Sequence, residues 1–527
     1  MIVLSHINSE KSILEKIKYK KAHNDSISVN TEIKNIISSL KNNGFFLATV
    51  KSIIKKDKSF TAYLNLNKRV EKASLTFNNK DLYLTKGLLL KNNILEIPIE
   101  KLQSTLLYIS KKLENQGKSF SKLQLKGINI RNNILYGNIY IRESNKRTIN
   151  KTIIKGYENF PRKFIKNYFK IKRNTLFNKE KLSSISTLSK KLIFADEIKP
   201  PEILFTKDST SLFLYLKKTQ ANSFDALVNF ASKENGKLLF NGHIDLKLNN
   251  VLNTGESLNL FWNSIGDERQ EFKIDTRIPY IFNSKFSPEL VFSIYKQDST
   301  FLTTNFKTIV NYDLNEKSKI GFFLNSDKSQ KLIENDANNI FTLSNFFIGA
   351  IYNFSIPKND FLKNNLFYFY LTFSVGKRNI EQKKTNQIKI TLNTSYIFEL
   401  NSRNSIFIKN NTGYLNSSTY IDNELFRIGG QNSIRGFNEQ SIFTKNYSYF
   451  NLEYRYLTSE TSYLYTISDI ARVTTLKKGE NFLSLGAGYL FRVKNTQINI
   501  NMAINSSKNS QAKITNTQLS ISWINYF

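Results

Sequence analysis

Arg435 lies in the stretch Arg427-Ile428-Gly429-Gly430-Gln431-Asn432-Ser433-Ile434-Arg435-Gly436-Phe437, and two carboxylates, Glu453 and Asp469, follow it along the chain. A guanidinium taken out of water is costly unless a carboxylate meets it, and its planar fork suits a bidentate partner. The chemistry on offer is therefore ion pairing rather than bond making. Residues that make and break bonds are sparse: His6, His23 and His243 are widely separated, there is no cysteine, and no nucleophile elbow, phosphate loop or metal-ligand spacing occurs. The sequence leads us to expect no enzymatic activity, no metal and no cofactor.

The residues around this pattern have to be positioned by more than one domain, because 527 residues exceed a single ordinary core. No run of eighteen apolar residues exists, which excludes a helical membrane span. A mean hydropathy of -0.36 leaves a membrane β-barrel open, since lipid-facing and water-facing residues alternate along its strands and average out. The formal charge of +34 comes from lysines scattered among Asn and Ile, with no clustered base-reading residues on a helix or aromatic platform. Nucleic acid is not an expected partner, and the lysines suit anionic lipid surfaces. The absence of cysteine rules out disulfides, thiolate metal sites and a lipid-anchoring cysteine, and it fits a periplasm-facing protein. The start, MIVLSHINSEKS, lacks the flank and apolar centre of a secretory signal, so a removed signal or a truncated start is expected.

Periodicity changes near residue 220. Before it, helix and strand periods alternate. Ile33, Ile36, Ile37 and Leu40 share a helix face that Asn43-Gly44 ends, and residues 48–55 and 59–66 read as a strand pair. A second unit runs from strand 70–77 through a helix bearing Leu102, Leu106, Ile109 and Leu113 to Gly117 and strands 122–130 and 134–141. A third has strand 150–155, a turn at Gly156, a helix opening at Phe160-Pro161 with the proline first, a helix over 181–192 and strand 211–217. These give three α+β units at 1–67, 68–145 and 146–219.

From Asn222 on, period two dominates and predicts sixteen strands: 222–232, 237–252, 256–266, 269–282, 287–299, 301–315, 318–330, 338–355, 364–379, 386–402, 404–416, 447–458, 461–474, 481–495, 496–507 and 512–527. Alternation is clean in Leu483, Leu485, Ala487, Tyr489 and Phe491 against Ser484, Gly486 and Gly488. Ile397 alone breaks the polar face of its strand, and Asn525 interrupts the apolar face of the last. A soluble sheet with so many long aromatic-rich strands would need an apolar core too wide for side chains to fill, so residues 220–527 read as an antiparallel transmembrane barrel. Its longest interruption, 417–446, joins the eleventh strand to the twelfth and contains the Arg435 pattern. With both barrel ends periplasmic, this is the sixth extracellular loop. On the twelfth strand Asn451, Glu453 and Arg455 share the polar face, assigned to the lumen.

The three α+β units, with Leu40-Lys41-Asn42-Asn43-Gly44-Phe45-Phe46 as a helix ending, resemble polypeptide-transport-associated (POTRA) domains. The loop sequence and its position resemble the BamA/TamA superfamily of outer-membrane assembly and translocation proteins, and the three-module layout is most similar to the TamA branch. The resemblance implies that the loop folds back into the barrel with Gly429, Gly430, Ile434, Arg435, Gly436 and Phe437 at or near its tip. Ile467-Ser468-Asp469-Ile470-Ala471 resembles the family's wall motif and keeps its acid, while Ile467 and Ala471 depart from it. Asp469 and Glu453 are then the candidate partners of Arg435, with Arg455 beside them, and Trp523 and Phe527 resemble the terminal signal of outer-membrane barrels. The function implied is receipt of unfolded outer-membrane or secreted client proteins on periplasmic modules and their insertion or translocation through a barrel with a lateral seam. That places the protein in the outer membrane of a Gram-negative cell, in contact with lipid and with an inner-membrane or periplasmic assembly partner. Two alternatives are a two-partner-type secretion transporter, which typically has two modules, and a passive porin, which needs neither the modules nor the loop.

Overall fold

The computed structural model describes residues 2–6, 18–23, 25–57, 59–207, 209–232, 238–265, 269–333, 339–358, 364–476, 478–507 and 517–527. Two compact units divide the chain, one comprising residues 1–151, 173–183 and 203–212, the other 152–172, 184–202 and 213–527.

In the first unit, α1 (Ser26–Asn42) starts where the Asp25 carboxylate accepts the Ser28 N–H at 2.7 Å. It buries Val29, Ile33, Ile36 and Leu40 along one face and ends at Asn43. Strands β2 (Thr49–Lys56) and β3 (Ser59–Asn65) form a hairpin, and β1 (Ile2–His6) lies parallel to β3. The sequence reading did not distinguish this first strand. The second module repeats the plan. Strand β4 (Lys72–Phe77) lies parallel to the last strand β7 (Ile134–Arg142), which pairs antiparallel with β6 (Lys122–Arg131). Parallel pairing needs a long crossover, and α2 (Leu102–Asn115) supplies it, burying Ile109 and Leu113 against Leu75, Leu135 and Ile139. An extra strand, β5 (Ile94–Pro98), covers the outer edge of β4.

The third module begins with β8 (Thr148–Ile149) and β9 (Lys151–Lys155) and continues through α3 (Lys163–Asn167), β10 (Thr175–Leu176) and α4 (Lys179–Ser189) to β11 (Ala195–Phe205) and β12 (Thr210–Lys218). Its sheet order is β11-β12-β9. Helix α3 opens two residues later than Pro161, whose carbonyl accepts the Phe164 N–H at 3.0 Å. Strand β11 escaped the sequence reading because it contains Pro200 and Pro201, which a strand tolerates at a sheet edge, where β11 lies.

Among the described residues the barrel is closed and has sixteen strands. The first eight are β13 (Ser223–Ser232), β14 (Leu238–Asn249), β15 (Ser257–Ile265), β16 (Arg269–Arg277), β17 (Phe286–Gln297), β18 (Phe301–Asp313), β19 (Ser318–Lys331) and β20 (Leu343–Pro357). They are followed by β21 (Asn365–Ile380), β22 (Lys383–Glu399) and β23 (Asn404–Ser417). A short hairpin of β24 (Phe426–Ile428) and β25 (Ile442–Thr444) then lies within the long loop. The wall resumes with β26 (Asn446–Ser459), β27 (Ser462–Thr474), β28 (Gly479–Val493), β29 (Thr496–Ser507) and β30 (Thr517–Tyr526). All sixteen strands expected from the alternation are present, with ends that shift. The fourth stops at Arg277 rather than residue 282, because Pro279 cannot donate to a ladder and Tyr280 turns left-handed at φ 57°. The eighth begins at Leu343 rather than 338, and residues 512–516 of the predicted last strand lie outside the described residues. Leu483, Leu485, Leu519, Ile521 and Trp523 stand exposed on the outer face, while Ser484, Asn501 and Asp469 are buried inside. An exposed apolar belt around a polar interior is the arrangement of a transmembrane barrel.

Turns at one end of the barrel hold pieces of the third module. The Phe164 ring meets Tyr280 edge-on at 5.0 Å, and Asn167 Nδ2 donates to Asn283 Oδ1 at 3.1 Å. Asn250 Nδ2 donates to the Tyr157 hydroxyl at 2.7 Å.

Candidate functional site

The loop between β23 and β26 is where the chain brings its buried charges together. Its tip is a tight turn in which Gly430 N–H bonds to the Ile434 carbonyl (3.1 Å) and Gly429 N–H to the Ser433 hydroxyl (2.6 Å). Ile434 is fully buried among Ile428, Tyr449, Ala471, Val473 and Phe482, and Phe437 packs edge-on to Phe482 at 5.1 Å. Gly436 adopts φ +83°, and a Cβ there would stand 2.9 Å from Ser484 Oγ, so the tip is pressed against the wall where only glycine fits. Its carbonyl accepts Asn505 Nδ2.

Period two on β26 and β27 turns Asn451, Glu453, Arg455 and Asp469 inward, and register sets Asn451 opposite Asp469. Arg435 Nε and Nη2 donate to the two oxygens of Asp469 at 2.9 and 2.6 Å, and its backbone N–H adds a third bond to Oδ2 at 2.9 Å. Nη1 donates to Glu453 Oε1 at 2.5 Å. The other oxygen of Glu453 takes Arg455 Nε at 2.8 Å and Nη2 at 2.7 Å. Two guanidiniums and two carboxylates close a neutral cluster, with Asp469 0% exposed. This arrangement can hold a segment in place by electrostatics; it holds no nucleophile. Ile467 and Ala471, which depart from the wall motif that this stretch resembles, are both buried, and each fills the wall beside Asp469.

Trp523 and Phe527 lie apart from this cluster. Both are exposed on the outer side, and Phe527 exchanges backbone bonds with Asn222 at 2.9 and 3.3 Å. Asn525 Oδ1 accepts from Thr496 Oγ1 (2.8 Å) and Trp523 Nε1 (3.1 Å), so its side-chain oxygen is satisfied on the outer face. Here the barrel closes on very little. The ladder between β13 and β30 consists of Ser223 opposite Tyr526 and Phe224 opposite Asn525. On its other side β13 pairs along its whole length, from Ser223 with Lys247 to Ser232 with Leu238.

Several loop anchors were missed from sequence. Asn451 Nδ2 donates to the Ser433 carbonyl (2.7 Å), Lys409 Nζ to the Asn432 carbonyl (3.2 Å), and Gln440 Nε2 to Glu271 (2.8 Å). Alternation marks each wall residue as inward-facing, but nothing in a single sequence says which of many inward polar groups the loop meets.

Neither a comparison with protein-family models nor one with curated proteins finds a match. Among solved structures the chain is similar to CdiB from Escherichia coli, with 11% identity and a TM-score of 0.54 over 96% of this chain and 99% of that one. It is similar also to CdiB from Acinetobacter baumannii, with 13% identity and a TM-score of 0.53 over 96% of this chain and all of that one. BamA from Haemophilus ducreyi lacking POTRA domains 1-3 aligns at 12% identity and a TM-score of 0.47, over 86% of this chain and 98% of that one. At these identities the likeness is one of architecture: the chain shares the fold of the two CdiB structures, and among its described residues α+β elements precede a barrel that sixteen strands close.

Proposed function

We propose that this protein is an outer-membrane assembly and translocation factor, which receives unfolded client polypeptides on its periplasmic α+β modules and inserts or passes them through a barrel that opens at one seam. The observation that carries the reading is the short ladder between β13 and β30. Unpaired strand edges are templates for an incoming strand, and a closure that among the described residues consists of two ladder pairs and the Asn222–Phe527 backbone exchange costs little to open compared with a full ladder. The modules offer further edges for the same kind of pairing, and the Arg435 cluster keeps the loop seated while the wall beside it moves.

The test is a disulfide across the seam, Phe224→Cys with Asn525→Cys, which is unambiguous in a chain without native cysteine. Directly opposed residues lie at about 4.5–5.5 Å between Cα atoms, within disulfide range. Oxidised protein should lose client assembly and regain it on reduction, whereas Asn499→Cys with Ser522→Cys, inside the β29–β30 ladder, should leave activity intact. Full activity of the oxidised seam pair would sink the reading.

A second reading, a two-partner-type secretion transporter, is favoured by the polar lumen. The loop is held there by hydrogen bonds and ion pairs that water can replace, which leaves a path for an exported chain once the loop moves. Comparing the outer-membrane and secreted proteomes after depletion separates the two: many barrels fall in the first case, one secreted protein in the second.

A further inference from the structure

The arm of the loop that leaves β23 carries a second buried charge pair, remote in sequence from the tip. Glu424 closes a single helical turn, Asp422–Glu424, and points both carboxylate oxygens at the wall. Arg378 Nη1 on β21 donates to Oε1 at 2.5 Å, and Gln387 Nε2 on β22 donates to Oε2 at 2.7 Å. Arg378 also holds the chain just before the turn, donating to the Thr419 carbonyl (3.0 Å) and hydroxyl (2.5 Å). The side chains of Arg378 and Glu424 are 3% and 2% exposed. Around them Asn423 Nδ2 donates to Ser329 Oγ on β19 (2.7 Å) and to the Phe341 carbonyl (2.8 Å), and Asn339 Nδ2 donates to the Tyr420 carbonyl (3.0 Å).

These anchors stand on β19, β21, β22 and the connection from β19 to β20, whereas those of Arg435 stand on β26 and β27. No residue is shared between the two ion-pair clusters. A cavity of about 400 Å³ borders the first, lined by Asn305, Asp327, Asn345, Gln387, Glu424 and Arg427. Apolar side chains such as Phe323 and Leu425 share the lining, but the polar groups and the size suffice for water, so Glu424 leaving Arg378 would meet solvating partners there.

We infer that Arg378 and Glu424 form a second latch, which holds the base of the loop independently of the Arg435 tip. Release of the loop is then a two-step event: the tip can leave the wall while the arm stays seated, and full withdrawal requires both pairs to break. Both residues are positioning residues acting through the loop. The position of the loop is independent of any client and is read with none present.

Single cysteines report the two ends in an otherwise cysteine-free chain: Leu425→Cys on the arm and Ile434→Cys at the tip, both at buried positions. Full-length protein in detergent micelles is treated with a maleimide and the labelling rate followed. Arg378→Ala should speed labelling at position 425 by at least about tenfold, as expected when a buried pair loses one partner, and leave position 434 at its parental rate. Arg435→Ala should do the reverse. Glu424→Gln, which keeps the shape and removes the charge, repeats the arm test if Arg378→Ala fails to fold, and folding is checked by heat-modifiable gel mobility. If either substitution speeds both reporters together, or if neither arm substitution speeds position 425, the second latch does not exist.

Discussion

Arg435 spends three of its bonds on Asp469 and one on Glu453, and Glu453 is already shared with Arg455. The two acids are therefore unequal. Asp469→Asn leaves a buried guanidinium without its main partner, a change of about 3–5 kcal/mol in comparable buried pairs, whereas Glu453→Gln leaves the fork on Asp469 intact. Client assembly by the full-length protein should fall much further in Asp469→Asn, and equal loss in the two variants would refute this ranking. Arg435→Lys should behave more like Arg435→Ala than like the parent, since an ammonium cannot span both oxygens of Asp469 and reach Glu453 together. Exchanging the charges of Arg435 and Asp469 should restore activity only in part, because the exchanged pair forfeits the backbone N–H bond from position 435 and must still sit beside Arg455 and Glu453. Measuring assembly in the double variant against each single one checks this.

At the scale of elements, what could be read from sequence was the periodic part. Leu483, Leu485 and Tyr489 against Ser484, Gly486 and Gly488 gave both the strand and its two faces, because a barrel wall imposes one rule on every second residue. Strand β11 was hidden by its two prolines, β1 and β5 by their shortness, and the Arg378–Glu424 pair by its separation across a loop whose path no periodicity records. Glycine on the inner wall has a similar hidden purpose. Gly488 lies against the ring of Tyr465 on the neighbouring strand, and a Cβ there would collide with it. Gly488→Ala should therefore lower the temperature at which the folded band disappears on a gel, and Tyr465→Ala in the same chain should relieve part of that loss. In the second module, Glu143 accepts from Lys118 and Tyr83, and the Lys118 ammonium, followed by the Tyr83 hydroxyl, holds its carboxyl below the usual range. A carboxyl depressed on folding contributes stability above its unfolded value and loses it as pH falls through the folded one. Hydrogen-exchange protection in α2 and β7, corrected for intrinsic rates, should decline as pH drops below about 4, and Glu143→Gln should weaken it at neutral pH and flatten the decline. Burial raises the Asp81 carboxyl instead, so its contribution runs the other way and is lost as pH rises. Asp81→Asn should add protection at neutral pH.

At the scale of the whole molecule, the unit that contains the barrel also contains residues 152–172 and 184–202, so part of the third module belongs structurally with the pore. Phe164 against Tyr280, Asn167 on Asn283 and Asn250 on Tyr157 are among the contacts that join it to the barrel turns. Tyr280→Ala should raise hydrogen exchange across residues 160–172 while leaving the β21–β22 ladder unchanged; protection that stays at the parental level would assign the docking to other contacts. The loop in the lumen has a consequence at a larger scale still. A sixteen-stranded cylinder with a polar interior is, without that loop, a hole in the cell's permeability barrier. The loop is tied to β26 and β27 at its tip and to β19, β21 and β22 at its base, so under the proposed function it should keep such a cell proof against bulky hydrophilic antibiotics that an outer membrane otherwise excludes. Cells whose protein carries Arg378→Ala together with Arg435→Ala should become sensitive to such drugs, and cells carrying either change alone should resist them better.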